Sequence, residues 1–199
     1  MAKRIDHDKR REEIVERAIR LFSQVGYDNV SLIMIAAAAG ISRTVLYRYF
    51  CSKREILDAA ILSVTGRLDR DCRQIIVTRG RVAEKLERIT HRVVEVMFEN
   101  KEFLVAVFDF VVGMVRTGAN MTAPISEFTA GTRLALKRLI ERGIRNGELP
   151  DILQVPRTAD AIYAEFESCA LRIVVGTERD AKAAKQRFTD VIRAITAWR

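Results

Sequence analysis

The stretch Ser31–Leu57, SLIMIAAAAGISRTVLYRYFCSKREIL, decides how this chain is read. Two short helical patterns flank the tight break Gly40-Ile41-Ser42, and a further helix begins near Ser52. Ala36, Ala39, Ile41 and Leu46 are small or apolar where one helix must cross another closely. Arg43, Thr44, Tyr47, Arg48 and Tyr49 follow the break with donors and aromatic rings. That is the construction of a helix-turn-helix, whose second helix has the size of a major groove.

Upstream, Asp6 or Asp8 is an acceptable N-cap for a first helix, and Gly26 is suited to end it. Ile14, Ala18, Leu21, Phe22 and Val25 share one face of that helix. Ser31 should cap the second helix, with Ile35, Ala36 and Ala39 inward. Gly40 then accepts the positive φ of an abrupt stop. Ser42 caps a third helix over roughly 43–50, and Ser52 a fourth. The stripe Ile56, Leu57, Ala60, Val64 and Leu68 makes the fourth helix a rigid connector.

Downstream breaks near 78–80, 117–124, 146–156 and 176–177 are marked by Gly, Pro or both. They separate helical patterns at about 82–99, 101–116, 125–146, 157–175 and 179–197. No strand pattern or internal repeat is found. Phe103–Val115 is apolar nearly all round, which predicts a place inside the C-terminal domain. Ile162, Phe166, Cys169, Ala170 and Ile173 form one late stripe; Ala181, Ala184, Phe188, Val191, Ile192, Ile195 and Trp198 form another. Such helices pack either on their own domain or on a second copy. The fold class is therefore all-α. An N-terminal three-helix helix-turn-helix domain (residues 1–56) is joined by a long helix to a C-terminal helical domain (residues 57–199).

The net charge is +8, and half of that excess falls within the first 56 residues. This bias suits a polyanion, although a basic solvated surface has the same composition. No apolar run is long enough to span a membrane, and MAKRIDHDKR lacks the apolar core of a secretory signal. Cys51, Cys72 and Cys169 are odd in number and scattered without metal spacing, which fits a reducing cytoplasm. His7 and His91 have no neighbouring nucleophile or ligand pattern, and no Gly-rich phosphate loop follows a strand. No catalytic residue, metal site or cofactor is therefore expected, and the chain reads as a non-enzyme.

Residues 31–57 resemble the DNA-binding segment of the TetR family of bacterial repressors. The resemblance rests on Ser31, Ile35-Ala36, Ala39-Gly40-Ile41-Ser42, Leu46-Tyr47, Tyr49-Phe50, Ser52-Lys53 and Ile56-Leu57. Ala18, Leu21-Phe22 and Gly26-Tyr27 also suit the family's first helix. It implies an all-helical homodimer, paired through helices 157–175 and 179–197, whose C-terminal domain binds a small molecule and so changes the spacing of two DNA-reading heads. On that pattern Ser31, Tyr47 and Lys53 meet phosphates. Arg43, Thr44 and Arg48 are candidates for base edges, with Val45 and Tyr49 on the same recognition helix. Arginine reads guanine bidentately, and methyl groups of Thr44 and Val45 can touch thymine. An exposed helix residue without any contact is the alternative at each position.

The sequence departs from the family at Thr44, usually Gly, Ala or Pro, and at Val45, often Thr or Ser. Both change the base-reading surface. Ile33 and Met34 stand where polar residues are commoner. Cys51 beside the reading helix is either a thiol switch or an incidental small residue. Aromatic and methionine residues gather in the second half: Met97, Phe98, Phe103, Phe108, Phe110, Met114, Met121, Phe128, Tyr163 and Phe166. Core packing accounts for most of them, but an apolar cavity with a few polar groups is also what a ligand site needs. Asp109, His91, Phe108, Met114, Phe128 and Phe166 are the candidate ligand residues, with Asn120 behind them. The expected activity is a ligand-released repressor on a palindromic double-stranded operator, not at a membrane. The alternative readings are a helical small-molecule-binding protein or enzyme with a vestigial head, and a DNA-binding protein controlled by a protein partner.

Overall fold

A computed structural model describes residues 2–118 and 123–196, with side chains from His7 onward. Asn120, Met121 and Trp198 lie outside the described residues. Among the described residues there is no strand, and nine helices follow in order. They are α1 (Ala2–Val25), α2 (Leu32–Ala38), α3 (Arg43–Leu46), α4 (Lys53–Val77), α5 (Val82–Glu99), α6 (Lys101–Arg116), α7 (Ala123–Arg145), α8 (Val155–Val174) and α9 (Ala181–Thr196). The all-α class expected from the sequence is what the chain adopts.

By packing, the chain divides into two compact units, residues 1–65 with 102–125 and residues 66–101 with 126–199. In the first unit Ile14, Ala18 and Phe22 of α1 meet Ile35 and Ala36 of α2, Leu46 of α3, and Ile56, Leu57 and Ala60 of α4. Each is an apolar side chain at helical spacing, and together they hide the inner face of all four helices. Phe103 and Ala106 of α6 join this same core. The segment Phe103–Val115, expected inside the C-terminal domain, therefore packs on the N-terminal helices. Its all-round apolar pattern specified burial but named no partner, and Val115 remains 73% exposed.

The second unit is built on α5, α8 and α9, which pack against one another. Leu86, Val93 and Val94 of α5 are buried with Ile162, Phe166, Cys169 and Ile173 of α8 and with Phe188 and Ile192 of α9. The late stripes read from the sequence are thus used inside the chain's own unit. The outer side of α8 keeps other exposed apolar residues, Leu171 at 51% and Val175 at 60%. The limits of α7, α8 and α9 differ from expectation by one or two residues, and two others differ by more. Helix α1 begins at Ala2, ahead of Asp6, and α3 stops as an α-helix at Leu46 rather than Phe50.

Candidate nucleic-acid interface

Three serine hydroxyls set the geometry of the head. Ser31 Oγ accepts from the Met34 N–H at 3.2 Å, Ser42 Oγ from Val45 N–H at 3.2 Å, and Ser52 Oγ from Glu55 N–H at 3.1 Å. Each satisfies a backbone donor that the first turn of a helix leaves unpaired. Gly40 closes α2 with φ of 66°, a left-handed conformation that needs no other relief since nothing lies near its absent Cβ. Its N–H and that of Ile41 bond back to Ala37 O and Ala36 O, at 3.1 and 3.0 Å. The turn is therefore closed by its own backbone.

Beyond Leu46 the chain tightens instead of unwinding. Arg48 N–H reaches Val45 O at 3.1 Å and Tyr49 N–H reaches Leu46 O at 2.9 Å, both three residues back, before Phe50 N–H returns to Leu46 O at 3.1 Å. This is 3₁₀-type winding at a helix end, so the helical course still runs to Phe50. Leu46 and Phe50 point inward at 0% and 1% exposure, while Arg43, Thr44, Tyr47 and Arg48 are exposed and Val45 is half-buried. Burial of two side chains thus fixes the outward display of four others.

That display is internally ordered. Arg43 Nη2 donates to Tyr47 Oη at 3.0 Å, and its guanidinium lies 5.4 Å from the centre of the Tyr47 ring. The phenol accepts in this contact, so its own proton stays available for an outside acceptor. The Ser31 hydroxyl is in the same position, accepting from Met34 and free to donate. Tyr49 is half-buried and stacks on His7 of α1, with ring centres 4.5 Å apart and planes at 27°. Nothing in the sequence pattern linked those two rings. Ile33 and Met34 are both exposed, Ile33 at 62%, as is Cys51.

Lys53 makes its contacts within the head. Its ammonium donates to the carbonyl of Tyr27 at 2.8 Å and of Asp28 at 3.3 Å, and sits 4.2 Å from the centre of the Tyr27 ring. Desolvation lowers its pKa from the ordinary lysine value, against an opposing pull from Asp28. Burial likewise raises the pKa of the Tyr27 phenol. Sequence spacing could place Lys53 at the start of α4 but carried no sign of partners some 25 residues earlier.

The candidate ligand residues are divided between the two units. Phe108, Asp109 and Met114 belong to the first unit, and His91, Phe128 and Phe166 to the second. Asp109 is exposed, Phe108 and Phe128 are half-buried, and Met114 is buried. Phe166 packs between Tyr163 and Phe188, at centre distances of 6.4 and 4.9 Å. His91 Nε2 shares a hydrogen bond with Thr189 Oγ1 at 3.0 Å, and Thr189 donates to Glu87 Oε1 at 2.6 Å. This ties α5 to α9. Among the described residues no group of His, Cys, Asp and Glu could hold a metal, and no helix is long and apolar enough to cross a membrane. Burial, and then the charges of Asp69 and Asp71, push the Cys72 thiol up to about 11, which disfavours the reactive thiolate.

Residues 14–60 match the family model described as bacterial regulatory proteins, tetR family. The HTH-type transcriptional regulator BetI of Agrobacterium fabrum is 33% identical over 94 residues, covering 47% of this chain and 44% of BetI. The chain thus spans under half the length of the curated relatives it matches. Over the whole fold, the fatty acid degradation regulator FadR from Bacillus halodurans superimposes with a TM-score of 0.76 at 18% identity, covering 92% of this chain and 93% of that one. FadR from Bacillus subtilis, solved in complex with stearoyl-CoA, gives 0.74 at 18% identity, covering 91% and 96%. Residues 14–60 are thus similar to the tetR family of bacterial regulatory proteins, and the fold as a whole is similar to that of the two FadR proteins.

Proposed function

We propose that this protein is a transcriptional repressor that binds a palindromic operator as a homodimer and leaves it when a small molecule binds. The observation that carries this reading is the outward display of Arg43, Thr44, Val45, Tyr47 and Arg48 from a segment anchored by buried Leu46 and Phe50. Arg43 and Arg48 supply bidentate donors for guanine, and Thr44 and Val45 supply methyl groups for thymine. Ser31 and Tyr47 donate hydroxyl protons to phosphates on either side, and Tyr49, braced by His7, borders the same surface. Pairing through α8 and α9 is supported by the exposed Leu171 and Val175, apolar residues that the monomer leaves in water. The effector is an apolar small molecule. Long-chain acyl-CoA is the first class to try, because the Bacillus subtilis FadR of the same fold was solved with stearoyl-CoA.

The test is a selection of genomic fragments retained by the purified protein, followed by footprinting. A discrete palindrome with half-sites ~34–36 Å apart is expected, and Arg43→Ala should relax preference at one base of each half-site by ~1–3 kcal/mol. Retention of random fragments without a common palindrome would overturn the proposal.

A further inference from the structure

The ammonium of Lys53 sits in the corner between α1 and α2. Two carbonyl oxygens hold it, Tyr27 O at 2.8 Å and Asp28 O at 3.3 Å, and the Tyr27 ring lies beneath it at 4.2 Å. That ring is itself fixed. Phe22 of α1 packs on one side at 5.6 Å between centres, and Phe110 of α6 meets it edge-on at 4.6 Å. The acceptors belong to the five-residue turn 26–30, which leads directly to Ser31. In that turn Gly26 has φ of 77°, Asn29 Nδ2 donates to Val25 O at 2.9 Å, and Val30 N–H reaches Tyr27 O at 3.3 Å. Lys53 is the first residue of α4 and follows the Ser52 cap, so its side chain joins the start of α4 to the corner that starts α2.

We infer that Lys53 serves DNA binding as a positioning residue, holding Ser31 and the α2 start in register with the reading segment, and does not itself neutralise a phosphate. The inference rests on the DNA-binding reading above and changes the role that the family resemblance implies for this lysine. An ammonium has three protons. Two are committed to carbonyls within the head, and swinging out to a phosphate would leave Tyr27 O and Asp28 O without this donor. A charged donor on two carbonyls is stronger than a neutral one, and the loss of it is felt where the turn is thinnest, at Val30 and Ser31. The half-buried side chain carries its ammonium over an aromatic face, so it behaves as a strut rather than a flexible arm.

Salt dependence separates the two roles. Each phosphate contact contributes ~0.9 to the slope of log affinity against log salt concentration. The experiment uses the full-length protein and Lys53→Met, which keeps an unbranched stem and removes the charge. Affinity for the selected palindrome is measured across a salt series. Lys53→Met is expected to bind about tenfold more weakly at every salt concentration, ~1.4 kcal/mol, with the wild-type slope. A slope reduced by ~0.9 per head would show a direct phosphate contact and overturn the inference, as would unchanged affinity.

A second arm needs no DNA. Amide exchange at Val30 and along α2 should quicken in Lys53→Met while the protection of α4 and α5 is kept. Unchanged exchange at the corner would overturn the strut even if the protein proved to bind no operator. Lys53→Arg, which keeps charged donors, should restore both affinity and corner protection. It also serves should the methionine variant fail to fold, since an arginine variant with weakened operator binding but wild-type corner protection would refute the strut.

Discussion

The head and the second unit bury the same kinds of side chain but hold their helices in register by different means. In the head the caps and the turn are local devices, with Lys53 as a longer tie. Ser31, Ser42 and Ser52 each cap a helix by bonding an N–H three residues on, and Gly40 ends α2 in a single step. In the second unit the ties are remote. Glu148 accepts from Val82 N–H at 2.5 Å across 66 positions, Lys185 pairs with Glu95 at 2.5 Å across 90, and Thr189 donates to Glu87 at 2.6 Å across 102. Arg92 binds Asp71 at 2.8 Å and Glu99 at 3.0 Å, clasping α5 to the end of α4. A short module that must present a surface needs its turns specified residue by residue. A bundle of long helices is instead fixed by a few crossing contacts, which leaves its sequence freer.

The strongest way to break this contrast is through the cores. Phe22 and Phe188 are both fully buried, one in each unit. Truncation to alanine should cost ~3–5 kcal/mol in either place, measured by denaturant unfolding. The consequences should differ by unit. Phe22→Ala is expected to lose amide protection through α1–α3 and to abolish operator binding. Phe188→Ala is expected to lose protection in α5, α8 and α9 first. Equal loss of protection everywhere in both variants would show that the two units do not differ in the way described.

A finer test compares one local device with one remote one. Ser42→Ala removes a single cap at an exposed helix start and should cost ~1 kcal/mol. Thr189→Val removes the hydroxyl standing between His91 and Glu87 on α5. Thr189 is buried, so its partners lose a hydrogen bond that has no substitute on α9, and ~1–3 kcal/mol is expected. Water can reach half-buried His91 and Glu87, which favours the lower part of that range. Thermal unfolding of both variants reads the difference, and a Ser42→Ala effect well above that of Thr189→Val would reverse the ranking.

The same contrast explains what could be read from the sequence. Ser31, Gly40, Ser42 and Ser52 announce their roles within three or four residues, so the helix-turn-helix and its outward residues were legible before any coordinates. So were α5 and α6, whose limits at 82–99 and 101–116 match the structure. What was not legible is which surfaces meet. The apolar run of α6 required burial, yet only packing shows Phe103, Ala106 and Phe110 against the head. His91 was read from the sequence as a polar candidate for ligand contact. Its partner, Thr189, lies 98 positions away. Lys53 fitted a phosphate contact by position, but the carbonyls that receive it are fixed by the path of another turn. Tertiary partners of polar groups leave no local pattern to read.

The smallest expected effect is on acid stability, and it too should divide by unit. Glu148 is held below the usual carboxylate range first by the Val82 N–H, and Glu95 first by the Lys185 ammonium. For a carboxylate whose folded pKa lies below its unfolded value of 4.5, folding favours the ionised form. The stability it contributes is therefore fully present above pH 4.5 and is lost as pH falls through the folded pKa. Serine hydroxyls have no charge to lose, so the caps of the head are indifferent to the same acidification. Glu148→Gln keeps an acceptor oxygen for Val82 N–H without the titrating charge. Its unfolding midpoint should lie below that of the wild type at neutral pH and converge on it below pH 4.5, falling less steeply with acid. Amide exchange at Val82 should show the protection of the start of α5 decaying with acid in the wild type and staying nearly level in the variant. Parallel acid profiles for the two proteins would mean that this remote tie contributes nothing that protonation can remove, and the distinction between charged crossing contacts and neutral caps would lose its energetic content.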